Sequence, residues 1–390
     1  MLRLAAQHLG DRVVTRQLDQ LPDGWWLEHG EVLDHFPADL AWEPRLLEQV
    51  QRPLLPEMHG PMRVDLWPVA TGGYLLVWTV HHFAVDEIGI DNVLQEVNAL
   101  LQGQPLPPVY GSPFAFGAVE RSWIDQSGVQ ARAQALARDL AAVPLPFDYR
   151  GQRSHEVPHV LPAALAAQLN AATKRWQSTP FAALLAAYGL ALQEVFGPGV
   201  RHVLTPFSRR CEPQLLEPVT YFLDVRFIEA GSCAGESAAA HLRRVQRQAL
   251  QAHQPAFQPL PRVVSATAAL SPHAAQWAGM FGFTWRHAPV RALSFGDAHA
   301  RLIRVPQRGA RFGVALHAAV VDGGEFLFSV EAIDQAHRDG WVARVWDAFC
   351  RHLQQVCAIE QSWEPELAAL PSGMSRREAE RSARRKFGAA

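Results

Sequence analysis

The stretch YLLVWTVHHFAVDEIGIDNVLQEV, Tyr74 to Val97, joins a strand-like run to a helix-like one through two adjacent histidines and an aspartate. From Gly73 to Val80 the residues are β-branched and aromatic without strict polar alternation, which predicts a strand covered on both faces. From Ile88 onward, apolar residues fall at Ile88, Val93, Leu94, Val97, Leu100 and Leu101, the spacing of a helix, and Gly103 is placed to end it. His81 and His82 stand at the strand's end and Asp86 at the helix's start.

Three chemistries use such residues. A metal site is poorly served, because neighbours on a strand point to opposite faces and no other histidine or carboxylate sits at a ligand-like offset nearby. A nucleophile–His–Asp hydrolase wants a serine or cysteine on a sharp turn such as GxSxG, and the sequence contains none. The third is a lone histidine at a strand's end, acting as base or positioning group, with its neighbour buried and the carboxylate holding the turn. Against all three stands a plain structural role, in which Asp86 only caps the helix and His82 is a satisfied core histidine.

Composition narrows the partners. The 390 residues suit two cores, and with 48% hydrophobic and 19% charged residues burial can offset chain entropy. A net charge of −2 gives no field to draw nucleic acid or an anionic membrane. The N-terminus has no signal-peptide core, and the longest uncharged apolar stretch, Pro180 to Leu192, falls short of the roughly 20 residues of a membrane span. Cys211, Cys233, Cys350 and Cys357 form no CxxC pair, so neither zinc nor a disulfide framework is expected. The expectation is a soluble, cytoplasmic protein with no metal, no nucleic-acid partner and no membrane partner.

Strands and helices alternate along the chain. A helix is expected over about Ser122 to Ala142, ending in the Pro-rich VPLPFDYRG, which marks a boundary near residue 150. Beyond it come a helix around Pro162 to Trp176 and a second in TPFAALLAAYGLALQEVFG, with Thr179 as cap and Pro180 in first position. HVLTPF, VTYFLDVRFI, MFGFTWRH, GVALHAAVV and EFLFSVEAI read as strands, the last two joined by the hairpin signal DGG. SAAAHLRRVQRQALQAH reads as a helix, and a last helix near Asp339 to Ala358 carries Val342, Val345, Phe349 and Leu353 on one face. The expected division is two α/β lobes, 1–150 and 151–368. A basic tail over 369–390 follows, a solvated linker in the first instance and a docking segment in the second.

HHFAVDE (His81 to Glu87) resembles the HHxxxDG signature of nonribosomal peptide synthetase condensation domains, members of the chloramphenicol-acetyltransferase-like acyltransferases. Further stretches resemble that family in its own order. YGSPFAFGAVERSW is similar to YxDFAxW, VPLPFDYRGQR to LPxDxxRP, and STPFAALLAAYGLAL to TPFxxLLAAxxxLL. LTPFSRR is similar to GxPxxxR, VTYFLDVRF to GxFVNTxxxR with Asp224 for asparagine, and HQPAF to HQDYPFE. Glu87 replaces the signature's glycine, the SxAQxRLW motif is not found, and AAQHLGDRVVTRQL only loosely resembles the RHExLRTxF helix.

The resemblance implies an α/β fold of two chloramphenicol-acetyltransferase-like sandwich lobes forming a V, the N-terminal lobe shortened. It implies that an acyl or peptidyl thioester, held on the phosphopantetheine of a carrier protein, is joined to an amine or alcohol, with no bound cofactor. His82 would act on the nucleophile, His81 would pack structurally, and Asp86 would pair with an arginine. Arg12 takes that place by motif position, with Arg63 as the fallback. Epimerisation relatives carry an EGHGRE-like segment where this chain has LTPFSRRCEP, and cyclisation relatives put aspartate for the first histidines. A free-standing coenzyme A-dependent acyltransferase and a non-catalytic docking module stay open. Trp67, Trp78, Trp176 and Trp285 read first as core and second as tunnel lining, and Arg209 and Arg210 as surface turn residues before phosphate contacts.

Overall fold

The computed structural model describes residues 4–9, 12–17, 27–36, 44–50, 52–55, 60–106, 117, 120–121, 124, 127–176, 179–210, 215–254, 257–271, 274–286, 293–295, 298–300, 309–320 and 325–360. The chain begins with strands β1 (Leu4–Leu9), β2 (Arg12–Gln17) and β3 (Leu27–His29), helix α1 (Pro44–Val50), strands β4 (Met62–Pro68) and β5 (Tyr74–Val80) and helix α2 (Glu87–Leu101). Then come α3 (Ser127–Ala141), β6 (Ser154–His159), α4 (Ala163–Arg175), α5 (Pro180–Phe196), β7 (His202–Ser208), β8 (Leu223–Glu229), α6 (Ala238–Ala252) and α7 (Leu260–Leu270). The chain closes with β9 (Phe281–Arg286), β10 (Leu293–Phe295), β11 (Ala298–Ala300), β12 (Val314–Val320), β13 (Phe326–Ile333), α8 (Asp334–Arg338) and α9 (Trp341–Cys357). Among the described residues, no helix is long and apolar enough to cross a membrane.

Two compact units result: Met1–Phe116 with Arg209–Leu223 and Ala292–Pro306, and Gly117–Ser208 with Asp224–Arg291 and Gln307–Ala390. The contacts therefore divide elsewhere than at the boundary expected near 150. Helix α3 buries Val129, Ala133, Leu136, Ala137 and Leu140, and Phe147 of the Pro-rich stretch packs edge-on against Phe281 and tilted against Trp341. A stretch rich in proline can still anchor a core through its aromatic. The tail at 369–390 lies outside the described residues, as do the DGG turn and most of YGSPFAFGAVERSW.

In the first unit, β4 pairs antiparallel with β5 from Met62↔Val80 to Pro68↔Tyr74, and β3 pairs parallel with β4. Trp67, Leu75 and Val77 share one face with Leu46 of α1. Burial alternates along β5, with Tyr74 65% and Leu76 56% exposed. The expected cover on both faces is not found over Tyr74–Val77 among the described residues, since an apolar side chain on a strand does not itself supply a covering layer. Arg63 is buried against Asp65 at 3.0 Å and also donates to the Gln49 carbonyl. The stretch resembling a RHExLRTxF helix is instead the antiparallel hairpin β1–β2, Leu4↔Gln17 to Leu9↔Arg12.

In the second unit the described strands form a sheet in the order β6-β13-β12-β9-β7-β8. β12 runs parallel to β9 and antiparallel to β13. Phe283, Leu316, Phe328 and Val330 face α5 and α9, where Tyr188 meets Phe283 and Phe349 meets Phe328. Helix α5 is buried nearly all round, and Gly189 permits this, since a Cβ there would lie 2.1 Å from the Ala230 carbonyl oxygen. Pro180 holds the first position as expected, but Thr179 makes no side-chain capping bond. On the sheet's other face Glu331 accepts from Ser154, Arg311 and His317, and His317 Nδ1 lies 2.7 Å from Thr284 Oγ1. Burial alone would raise the Glu331 carboxyl, but His317 and Arg311 outweigh it and hold it at about 2.

Candidate active site

The HHFAVD loop is short because both ends are pinned. β5 ends at Val80, the His81 N–H donates to the Pro61 carbonyl, and the Ala84 N–H closes a turn on the His81 carbonyl. Asp86 then takes an extended backbone and caps α2, its Oδ1 accepting from the Gly89 N–H at 2.8 Å. Glu87 occupies the first helical turn, where a carboxylate favours the helix dipole. Among the described residues Gln258 is the one non-glycine with positive φ, so position 87 needs no glycine. Gly89 is the constrained glycine here, as a Cβ on it would come 2.7 Å from Val85 Cγ2 and 3.3 Å from Asp86 Oδ1.

The two histidines lie on this turn beyond the strand, so strand alternation does not separate them and both are exposed. His81 is therefore not buried, contrary to expectation. Its ring leans on Phe83, with centroids 4.8 Å apart, and its Nδ1 accepts from the Phe83 N–H at 3.3 Å. His82 Nδ1 lies 2.9 Å from the Val85 carbonyl oxygen. A carbonyl only accepts, so His82 carries its hydrogen on Nδ1 and, when neutral, keeps a lone pair on Nε2. His81 carries the opposite tautomer. Adjacent identical residues thus present their lone pairs differently: that of His81 Nδ1 is engaged by the Phe83 N–H, whereas His82 presents its lone pair on Nε2.

Asp86 is 1% exposed and grips a remote segment. Arg210 clasps it with Nε to Oδ2 at 3.0 Å and Nη2 to Oδ1 at 2.8 Å, across 124 residues of sequence. The rest of the guanidinium is spent on carbonyls of Leu215 at 2.6 Å, Pro218 at 2.9 Å and Thr220 at 2.8 Å. The Phe222 N–H donates to Asp86 Oδ2 at 2.9 Å, and Arg210 lies over the Phe222 ring. Asn92 of α2 adds bonds to the Leu216 and Glu217 carbonyls. The Tyr221 ring meets His82 at right angles with centroids 5.3 Å apart.

The partner of Asp86 is therefore Arg210. The side chain of Arg12 lies outside the described residues, and Arg63 is engaged by Asp65. Arg209 and Arg210, read as surface turn residues, are both buried. Cys350 and Cys357 are poor nucleophiles, since burial pushes both thiols up to about 11.

A family model described as "Condensation domain" matches residues 2–372. The chain belongs to the condensation-domain family. It is 24% identical to tyrocidine synthase 2 of Brevibacillus parabrevis over 262 residues, which cover 65% of this chain and 7% of that protein. The chain therefore spans a small part of that curated relative. Among solved structures, the epimerization domain from the third module of tyrocidine synthetase B superposes with a TM-score of 0.67 at 17% identity, over 91% of this chain and 85% of that one. The condensation domain from Monacolin K polyketide synthase gives 0.68 at 14% identity, with the same two coverages. These likenesses establish the mixed α/β fold. Condensation domains are generally acyltransferases, and they work with carrier-bound substrates.

Within this condensation domain, Arg210, Gly89, Tyr221 and the backbone of Thr220 and Phe222 are site components that sequence reading did not select. For Arg210 a signal existed, because the GxPxxxR pattern that LTPFSRR resembles ends on it. VTYFLDVRFI, read as one strand, becomes strand only from Leu223. Thr220 and Phe222 spend backbone groups on Asp86 and Arg210 instead of on a ladder.

Proposed function

We propose that this condensation domain transfers an acyl or peptidyl group from the phosphopantetheine thioester of a carrier protein to an amine, with a hydroxyl as the alternative nucleophile. The observation that carries the reading is His82, exposed and held by the Val85 carbonyl in the tautomer whose Nε2 accepts. As the amine attacks the thioester carbonyl, the C–N bond forms and the C–S bond breaks. The proton leaves the nitrogen for His82 Nε2 and passes to the departing thiolate. A thioester is already activated, so a positioned base and alignment of the reactants suffice without a protein nucleophile. Asp86 and Arg210 hold the loop and touch no substrate in this scheme.

The test is intact-protein mass spectrometry of acyl-loaded carrier proteins incubated with amines and this protein. Loss of the acyl mass, dependent on the protein, is the expected result. His82→Ala lowers the rate by about 100- to 10,000-fold, with its melting temperature near wild type. Equal use of the same acyl group as its coenzyme A thioester would replace the carrier-dependent reading. A His82→Ala variant that kept full effect on its partners, with no acyl transfer in either protein, would mark a docking module instead.

A further inference from the structure

We propose that Tyr221 is a positioning residue that sets the direction of His82 Nε2, an inference that rests on the reading of His82 as the proton acceptor. The bond from Nδ1 to the Val85 carbonyl holds one atom of the imidazole, and a ring that rocks on that atom bends and weakens the bond. The perpendicular Tyr221 ring, 5.3 Å away between centroids, restricts the rocking. Tyr221 is itself held from both sides. The Thr220 carbonyl accepts from Arg210 Nη2 at 2.8 Å and from the Asp86 N–H at 3.2 Å, and the Phe222 N–H is bound to Asp86.

Val85 and Tyr221, which touch the His82 ring, are thus each one covalent step from atoms gripped by the buried ion pair. Val85 precedes Asp86, and Tyr221 lies between Thr220 and Phe222. The Asp86–Arg210 pair orients the histidine through these two neighbours without touching it. Any substitution that frees the 220–222 backbone should therefore reach the histidine through the Tyr221 ring.

The experiment compares wild type, Tyr221→Phe and Tyr221→Ala, each labelled with 15N-histidine, with His82→Ala used to assign the signals. In Tyr221→Ala the share of His82 carrying its hydrogen on Nδ1 should fall. In the acyl-transfer assay kcat should drop about 2- to 10-fold, the scale of one aromatic pair, while KM for the acceptor stays put. Tyr221→Phe should restore both. Wild-type tautomer and kcat in Tyr221→Ala would overturn the proposal, as would Tyr221→Phe failing as badly as alanine, which would put the role in the hydroxyl. Should wild type transfer no acyl group at all, the proposed reaction fails, while the tautomer comparison still decides what Tyr221 does to His82.

Discussion

The two units of this chain are held together by different physics. In the second, one continuous apolar core runs from α3 through the sheet to α9, and helix α5 is buried on almost every side. Among the described residues of the first, small apolar clusters around Trp67 and around Val85 lie beside the buried ion pairs Arg63–Asp65 and Asp86–Arg210. Apolar packing is non-directional and tolerates repacking, whereas a bidentate ion pair works in one register only. Around the described loop of the first unit, direction is set by the ion pair. That is where a histidine has to be aimed.

Breaking the buried pair should have the largest effect. Arg210→Ala leaves a desolvated carboxylate at Asp86 and should cost about 3–5 kcal/mol, read by denaturant unfolding. The double substitution Asp86→Leu with Arg210→Met removes the unpaired charge but not the lost bonds to the Leu215, Pro218 and Thr220 carbonyls, so it should recover part of that stability and none of the acyl-transfer activity. Recovery of both would mean that the pair does no orienting. In the second unit, Leu185→Ala should cost about 2–5 kcal/mol with kcat per folded molecule unchanged, which separates packing from aiming.

A smaller effect is expected from acid. The Glu331 carboxyl is held at about 2, below its ordinary value of 4.5. A depressed carboxyl contributes stability fully above its unfolded pKa and loses it as pH falls through the folded value. The contribution of Glu331 should therefore fade between about pH 4.5 and pH 2, and Glu331→Gln should flatten the stability profile across that window. The smallest effect belongs to the exposed Arg52–Glu28 pair of the first unit. Arg52→Ala should change stability by less than about 0.5 kcal/mol, so a large loss there would blur the contrast with Arg210.

Legibility followed range. β5 and α2 were readable to within a residue or so because strand composition and helical spacing are local signals. The cap at Asp86 was readable for the same reason. The choice between a buried and an exposed His81 was not, because it turned on whether the strand stopped at Val80 or continued, and that depends on the Pro61 and Ala84 backbone. Arginines at 209 and 210 beside a turn read as solvated, since a sequence does not show that a buried carboxylate waits 124 residues upstream.

By itself, then, the sequence determined the alternation of strands and helices, the ordered family motifs and the histidine–aspartate loop that names the site. The tertiary structure decided which arginine meets Asp86 and which aromatic meets His82. Periodicity and capping act over a few residues and are written along the chain. The Asp86–Arg210 pair and the His82–Tyr221 contact join groups more than a hundred residues apart, and no local pattern encodes that proximity.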